Sequence, residues 1–556
     1  MRRLTLHATS YTRALACSST PEETQTIRLN RALAFLKTRQ HDAAFSDVES
    51  ATAAADKPAE KALFRKAEAL YGLQQYRECC EVLKKLRLAY PDNMAAKSQL
   101  TRAISRLTEH ANGKYRFKQL QDEAACARPP HLDHATYIGP VRIQASGSRG
   151  RGLFTTKAVK AGDLLFCEKA FTHAFFEKEG GFTMLVDPEN GGTMGSHSEL
   201  IDVTIQKLHR NPSLMPIITD LHHGSYQPVD ATYVDGEPVV DTYVALLLPT
   251  TISHPNVLTR PRVYPSFLIR RIVALNCFGC PQVSTVTWHQ EKRRQGQPPP
   301  TKPSTPAEDN GFHSCGIWPT ASYINHSCTS NARRAFIGDM LIARATRDLP
   351  ANTEVTWWYQ PPHDDSAQRN KTLLRQWGFV CDCPLCEDEK STSAAVVGKR
   401  EALATGLRKQ VAALQEGRGR KETGVAVAKI EAALDALAAT YTRPASEVPR
   451  LAVWVAMQRL LMAVVEMEQV PMARKVRLLL AMLESLGHVI EGGVGGTVKV
   501  LQWGLMMDGV VECWAFLRDA YRLTAPELVV PAEGYARAAY KMVFGEDETF
   551  VGIYGE

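Results

Sequence analysis

YINHSCTSN, residues 323–331, gathers the amide of Asn325, the imidazole of His326, the hydroxyl of Ser327, the thiol of Cys328 and the amide of Asn331 in one polar turn. An apolar approach, GIWPTASYI (316–324), leads into it, and FVCDCPLCED (379–388) later places Cys381, Cys383 and Cys386 within six positions. The C-x-C-x2-C spacing supplies three thiolates, one short of a closed tetrahedral zinc site. Cys328 is the candidate fourth ligand, because it ends a polar turn in the same β-rich unit. Three unpaired thiols this close would oxidise readily without a metal. A structural Zn2+ held by four sulfurs, with no open position for water, would pin residues 325–331 against 379–387. Cys277 and Cys280 of NCFGC form another C-x-x-C. They follow an apolar helix and lack a partner pair, so they read as buried thiols rather than a second metal site.

Outward from these stretches the texture is β-rich. VRIQASGSRGRGLFTTKAVKAGDLLFCEKAF (141–171) alternates short apolar runs with glycine and reads as β-hairpins, and the same texture returns from residue 316 to 359. Between them, SHSELIDVTIQKLHRNPSLMPIITDLHH (196–223) and SFLIRRIVALNCFG (266–279) read as helices. HQEKRRQGQPPPTKPSTPAEDN (289–310) has neither period and reads as an exposed, mobile loop.

The flanks are helical. LNRALAFLKTRQHDAAFSDVESA (29–51) and LFRKAEALYGLQQYRECCEVLKKL (63–86) align at an offset of 35, matching Ala32 with Ala67, Phe35 with Leu70, His41 with Tyr76 and Ala44 with Cys79. Small residues at crossing points let antiparallel helices approach closely. With Pro91 closing the second unit, the pattern resembles the tetratricopeptide repeat. From about 393 to 545 a 3.6-residue period recurs, broken at EGRGRK, TYTRPASEVP and EGGVGG. Within it RLAVWVAMQRLLMAVVEM (450–467) spaces Arg450, Arg459 and Glu466 as a helix packed on one side.

The expected class is therefore an α+β multidomain chain. Residues 1–24 form a flexible basic tail, for which a mitochondrial presequence is the alternative reading. Residues 25–112 carry TPR-like helices and 113–139 a linker. The β-rich unit spans 140–390, with an insertion at about 172–275, the 289–310 loop and a zinc segment at 377–390, and a helical domain fills 391–556.

The 556 residues can bury at least two cores, and no stretch reaches the length of a membrane span. The net charge of +7, spread over this length, does not argue for direct nucleic-acid binding, and no membrane partner is expected. Thirteen cysteines, several of them isolated, suit a reducing compartment rather than a disulfide framework, so the nucleus or cytoplasm is expected.

GRGLF (150–154), NHSCTSN (325–331), EVTWWY (354–359) and CDCPLC (381–386) occur in the order found in SET-domain protein lysine methyltransferases. The long interruption and the helical ends resemble the SMYD branch or its fungal relatives with tetratricopeptide repeats. Two departures stand out. Residues 172–270 hold no cysteine, so the MYND finger of SMYD proteins is absent there. NTEVTWWY stands where the family has a segment close to G-E-E-L-T-I-S-Y, so Asn352 replaces a glycine and Trp358 a small residue.

The resemblance implies methyl transfer from S-adenosyl-L-methionine to a lysine ε-amine of a histone or other protein substrate. It implies that Gly150, Arg151, Gly152 and Leu153 approach the cofactor, as glycines allow. Asn276, Asn325, the backbone at His326, and Phe379 would also contact it. Tyr359 would be the catalytic residue, its hydroxyl aligning the amine with the methyl. A lysine with an ordinary pKa of ~10.4 must lose its proton before attack, which an apolar aromatic channel favours. Trp357 and Trp358 alternate beside Tyr359, so one is expected in the core and the other at a channel or surface. The helical repeats would dock a peptide or chaperone partner. The rival reading is a SET/TPR scaffold without turnover that binds protein partners.

Overall fold

The computed structural model describes residues 2–53, 59–175, 184–187, 191–224, 233–234, 237–238, 266–294, 314–362, 366–416 and 423–555. The N-terminal region is a run of seven helices: α1 (Arg2–Ala16), α2 (Pro21–Lys37), α3 (His41–Thr52), α4 (Glu60–Gly72), α5 (Tyr76–Ala89), α6 (Met94–Asn112) and α7 (Phe117–Cys126). The 35-residue offset persists in the backbone. Arg39 (φ 58°) and Gln74 (φ 63°) both turn the chain through the left-handed region. The next residues, Gln40 and Gln75, precede α3 and α5 with nearly the same dihedrals, −95°/70° and −83°/68°. Ala32, Ala44, Ala67 and Cys79 are fully buried, where a larger side chain would push the helices apart.

Two expectations need correction here. Residues 2–16, read as flexible tail, form α1, which buries Ala8 and whose Thr12 Oγ1 accepts from Arg31 Nη1 of α2 at 3.1 Å. The stretch 113–139, read as linker, contains α7. Its i, i+3, i+7 residues Phe117, Leu120 and Ala124 pack on Ile337, Met340 and Ile342 of the central region. The Glu548 carboxylate accepts from the backbone N–H groups of Phe117 (3.2 Å) and Lys118 (2.8 Å), so the cap of α7 comes from the far end of the chain.

The central unit begins with β1 (Tyr137–Ile138), β2 (Val141–Ala145), β3 (Arg151–Thr155), β4 (Leu164–Lys169) and β5 (Thr172–Ala174). Two short hairpins, β6 (Met184–Asp187) with β7 (Gly191–Met194) and β8 (Tyr233–Val234) with β9 (Glu237–Pro238), lie in the insertion. So do α8 (Ser196–Arg210) and α9 (Met215–Thr219), which the sequence reading had joined. Pro212 lacks an N–H and forces a break between them. After the helix Ser266–Asn276 come β10 (Cys277–Cys280), β11 (Ser314–Ile317), β12 (Asn325–His326), β13 (Ala332–Ile337), β14 (Met340–Ala345) and β15 (Glu354–Trp357). They form small sheets ordered β1-β4-β14-β13, β10-β11-β5 and β12-β15-β3-β2. Leu153, Phe166, Trp318, Ile324, Leu341, Val355 and Trp357 fill the core between them. Of the expected loop at 289–310, residues 289–294 belong to the helix Thr285–Arg294, which docks His289 against Phe544 (4.9 Å). The remainder lies outside the described residues.

Among the described residues, the C-terminal region from Ala394 to Tyr554 consists of helices and one β-hairpin. EGGVGG is the turn of a hairpin, β16 (Val489–Gly492) and β17 (Val498–Gln502), in which Gly492, Gly493, Gly495 and Gly496 all have positive φ. The helix Leu451–Val464 is also buried on more than one side, leaving Arg459 and Met462 exposed, because neighbouring helices surround it. This helical core reaches the central sheets through Arg344 Nε, which donates to Gly545 O (2.7 Å), and Arg333, which pairs with Asp508 at 2.5 Å.

Among the described residues no helix is long and apolar enough to cross a membrane.

Candidate active site

Tyr359 lies where the central core and the C-terminal core meet. β12 runs parallel to β15, pairing Asn325 with Thr356 and His326 with Trp357. Asn331 locks the polar turn to the same strand. Its Oδ1 accepts from Thr356 N (2.8 Å) and its Nδ2 donates to Glu354 O (2.8 Å). The turn at residues 325–331 and the segment that ends at Tyr359 are thus one rigid unit.

The Tyr359 hydroxyl donates to Ile324 O at 3.1 Å. Burial raises its pKa to about 12, so it is a neutral hydroxyl near pH 7. Its ring meets three others: Trp377 at 5.0 Å, His326 at 5.3 Å and Phe379 at 6.1 Å, the last edge-on. His326 Nδ1 accepts from the Tyr359 backbone N–H at 3.0 Å. The ring proton of a neutral His326 therefore sits on Nε2, which faces Cys328 Sγ at 3.4 Å. In this tautomer His326 couples the tyrosine backbone to the sulfur cluster.

Cys328, Cys381, Cys383 and Cys386 are all buried, and their sulfurs lie within 4.8 Å of one another. Cys328 stands 3.9 Å from Cys381 and 3.7 Å from Cys386. Tetrahedral zinc with bonds of about 2.3 Å requires sulfurs about 3.8 Å apart, and this cluster fits that ion. It is the one group of its kind among the described residues. Beyond the sulfurs, Arg369 Nη2 points at Cys386 Sγ (3.8 Å) and pairs with Glu389, while Asn370 Oδ1 accepts from Cys381 N (3.0 Å). Cys280 Sγ lies 3.4 Å from His173 Nε2 and Cys277 Sγ 2.7 Å from His197 Nε2, in separate contacts outside any such group.

On the opposite side Glu354 is the hub. Its Oε1 accepts from Ser146 Oγ (2.6 Å) and Asn325 Nδ2 (2.8 Å), and Arg149 approaches its other oxygen at 3.7 Å. Asn325 Nδ2 also donates to Arg151 O (3.1 Å), which fixes the loop before β3. The two glycines there are needed for different reasons. Gly150 has φ 76° and open space where a Cβ would stand. A Cβ on Gly152 would come within 2.5 Å of Glu354 Oε1 and 3.1 Å of Asn325 Nδ2. Leu153 is buried and pairs with Val355. Asn276 ends its helix with Nδ2 donating to His222 O (2.7 Å) and Ile272 O (2.8 Å), while its carbonyl accepts from Ser322 Oγ (3.3 Å).

The structure thus brings His326, Tyr359 and Phe379 into one aromatic corner. It sets Gly152 and Asn325 against Glu354, with Arg151 O held by Asn325. Asn276 is tied through its carbonyl to Ser322, three residues before Asn325. One expectation is corrected: neither Trp357 nor Trp358 faces a channel or solvent. Trp357 enters the central core and Trp358 the C-terminal core, where Arg333 lies over its ring at 4.4 Å. The alternation of the strand holds, but the helical domain covers its second face. Asn352, standing where a glycine was expected, has φ 60°, and asparagine is among the residues that best tolerate that region.

Four participants escaped the sequence reading: Glu354, Arg149, Trp377 and Arg334. Glu354 lies inside the EVTWWY motif and Trp377 two residues before Phe379, so both were within reach of it. Arg334, which donates to Trp358 O (2.8 Å) with its guanidinium over Trp357 at 5.1 Å, gave no local signal.

Residues 150–360 match the SET domain family. A protein of Gibberella zeae called "Methyltransferase" is 37% identical over 553 residues, covering 97% of this chain and 70% of that protein. The mouse histone-lysine N-methyltransferase SMYD3 is 34% identical over 86 residues, which is 16% of this chain and 20% of that protein. SmydA-8 isoform A of Drosophila melanogaster, a SET domain-containing protein, is 25% identical over 292 residues, 48% of this chain and 60% of that protein. With near-complete alignment to the first and shared segments with the others, the chain belongs to the SMYD-like SET-domain methyltransferases.

Proposed function

We propose that this protein uses S-adenosyl-L-methionine to methylate the ε-amine of a lysine in a protein substrate, histone or otherwise. When bound, that cofactor supplies a methyl group on a positively charged sulfur. The observation that carries the reading is the corner around Tyr359. A hydroxyl held by Ile324 O lies against the rings of Trp377 and Phe379, and His326 links Tyr359 to the four-thiol cluster.

Each group has a role in this reading. Gly150, Arg151, Gly152 and Leu153 offer backbone to the cofactor, Asn276 and Asn325 hold its amino-acid part, and Phe379 covers its flat base. Tyr359 orients the amine, while Trp377 and Phe379 exclude water and favour the neutral form of the lysine. Zn2+ at Cys328, Cys381, Cys383 and Cys386 is structural, holding Phe379 against His326. The paired hairpins α2–α3 and α4–α5 dock a peptide or chaperone partner in the manner of tetratricopeptide repeats. Cysteine usage favours residence in the nucleus or cytoplasm.

Transfer of radiolabelled methyl from S-adenosyl-L-methionine to peptide arrays tests this directly. Tyr359→Phe should retain the fold and cofactor affinity while transfer falls at least about 100-fold. Equal transfer by both proteins would remove Tyr359 from the mechanism. Wild-type protein that binds no cofactor in calorimetry would favour the scaffold reading.

A further inference from the structure

The insertion touches the proposed cofactor side at residues 220–222. Arg151, whose carbonyl is held by Asn325, donates through Nη1 to Asp220 Oδ2 at 2.8 Å and through Nη2 to Asp220 O. The Tyr323 hydroxyl donates to the same carboxylate oxygen, and the Arg151 guanidinium lies over the Tyr323 ring at 5.0 Å. Two residues on, His222 O accepts from Asn276 Nδ2 (2.7 Å). Three separate elements of the site therefore converge on one short stretch of the insertion.

The other end of that stretch is anchored elsewhere. Asn211 Oδ1 accepts from the first N–H groups of α3, His41 at 2.7 Å and Asp42 at 3.3 Å, and its Nδ2 donates to Arg39 O (3.0 Å). It supplies the cap that α3 lacks in its own sequence. Ser213 adds bonds to the Asp42 carboxylate at 2.7 and 2.8 Å.

We infer that residues 211–222 form a strap, pinned to the helical repeat at Asn211 and closing the cofactor edge at Asp220, and that Asp220 is a positioning residue for the cofactor. The inference rests on the use of S-adenosyl-L-methionine proposed above. The chemistry asks for a carboxylate in this place. Arg151 brings a positive charge to a loop that must receive a cofactor whose sulfur is itself positive. Asp220 neutralises that charge, and hydrogen bonding from Tyr323 and Arg151 keeps its carboxyl below the usual carboxylate range, so it stays ionised. The demethylated product, S-adenosyl-L-homocysteine, has a neutral sulfur and gains less from that neutralisation. The strap thus favours substrate cofactor over product.

Asp220→Asn tests the charge alone, because the backbone carbonyl that also holds Arg151 remains. In the full-length protein, calorimetric affinity for S-adenosyl-L-methionine should fall about threefold to fivefold, with a smaller fall for S-adenosyl-L-homocysteine. KM for the cofactor should rise with kcat at saturation unchanged, and added salt should narrow the gap between variant and wild type. Tyr323→Phe removes a hydrogen bond but no charge, so it should speed dissociation of both ligands alike. Unchanged affinity in Asp220→Asn, or an equal loss for both ligands, would overturn the strap. Wild-type protein that binds neither ligand would instead overturn the cofactor assignment itself.

Discussion

The two walls of the Tyr359 site are built by different physics. On one side four buried thiols converge, with Arg369 and Asn370 behind them. On the other a single carboxylate, Glu354, gathers Ser146, Asn325 and Arg149. A four-thiolate site is close to all-or-none, since an ion with three ligands no longer closes the loop it was holding. A hydrogen-bonded hub is graded, since each bond contributes about 1 kcal/mol net and the rest survive the loss of one. The sulfur wall should therefore fail abruptly and the carboxylate wall by degrees.

The largest expected effect tests the first half of that contrast. Cys383→Ser should abolish stoichiometric zinc by elemental analysis, lower the melting temperature and cut methyl transfer by about 100-fold or more, as Phe379 loses its seat. Full activity in protein shown to be free of zinc would break the comparison. Next, Glu354→Gln keeps one acceptor oxygen but sets an amide N–H2 against donors. It should weaken cofactor binding about tenfold while leaving zinc content and most of the stability intact. A loss as complete as that of Cys383→Ser would show that the two walls behave alike.

The smallest effect concerns the turn that feeds NHSC. Glu168 is buried beneath it, accepting from Thr320 N (2.8 Å) and Ala321 N (3.1 Å), and burial raises its pKa to about 7. An acid whose pKa is higher folded than unfolded contributes stability that is complete below its unfolded value and lost as pH rises through the folded one. Between about pH 4.5 and 7 this group should remove about 2–3 kcal/mol as the pH increases. Unfolding free energies measured across that window should show the decline in wild type and a flatter profile in Glu168→Gln. Parallel profiles would discount the buried carboxyl.

Local chemistry was legible from the chain. Thiol number and spacing showed that a fourth ligand was missing and the polar turn in the same β-rich unit pointed to Cys328, while the 35-residue offset followed from small residues at helix crossings. The same logic missed α7, whose ten residues lie between loop-like flanks and whose cap, Glu548, is 430 residues away at Lys118. EGGVGG does break the helical run, but that it does so as the turn of a hairpin was not legible, because glycine spacing alone does not say whether a chain stops or turns back. One of Trp357 and Trp358 was expected at a channel or surface because strand alternation was legible and the covering helical domain was not.

Residue type and short spacing alone picked out the groups proposed to carry the chemistry: the thiol set, the NHSC turn, the tyrosine after WW and the glycines of GRG. Those depend on residue type and short spacing, which the covalent chain carries. What surrounds them emerged from the fold: Glu354 against Gly152, Trp358 in the C-terminal core, Asp220 on Arg151 and Asn211 on α3. Each of these joins segments distant in sequence, and the energy that selects such a contact is a property of packing and desolvation in the folded chain, not of any local stretch.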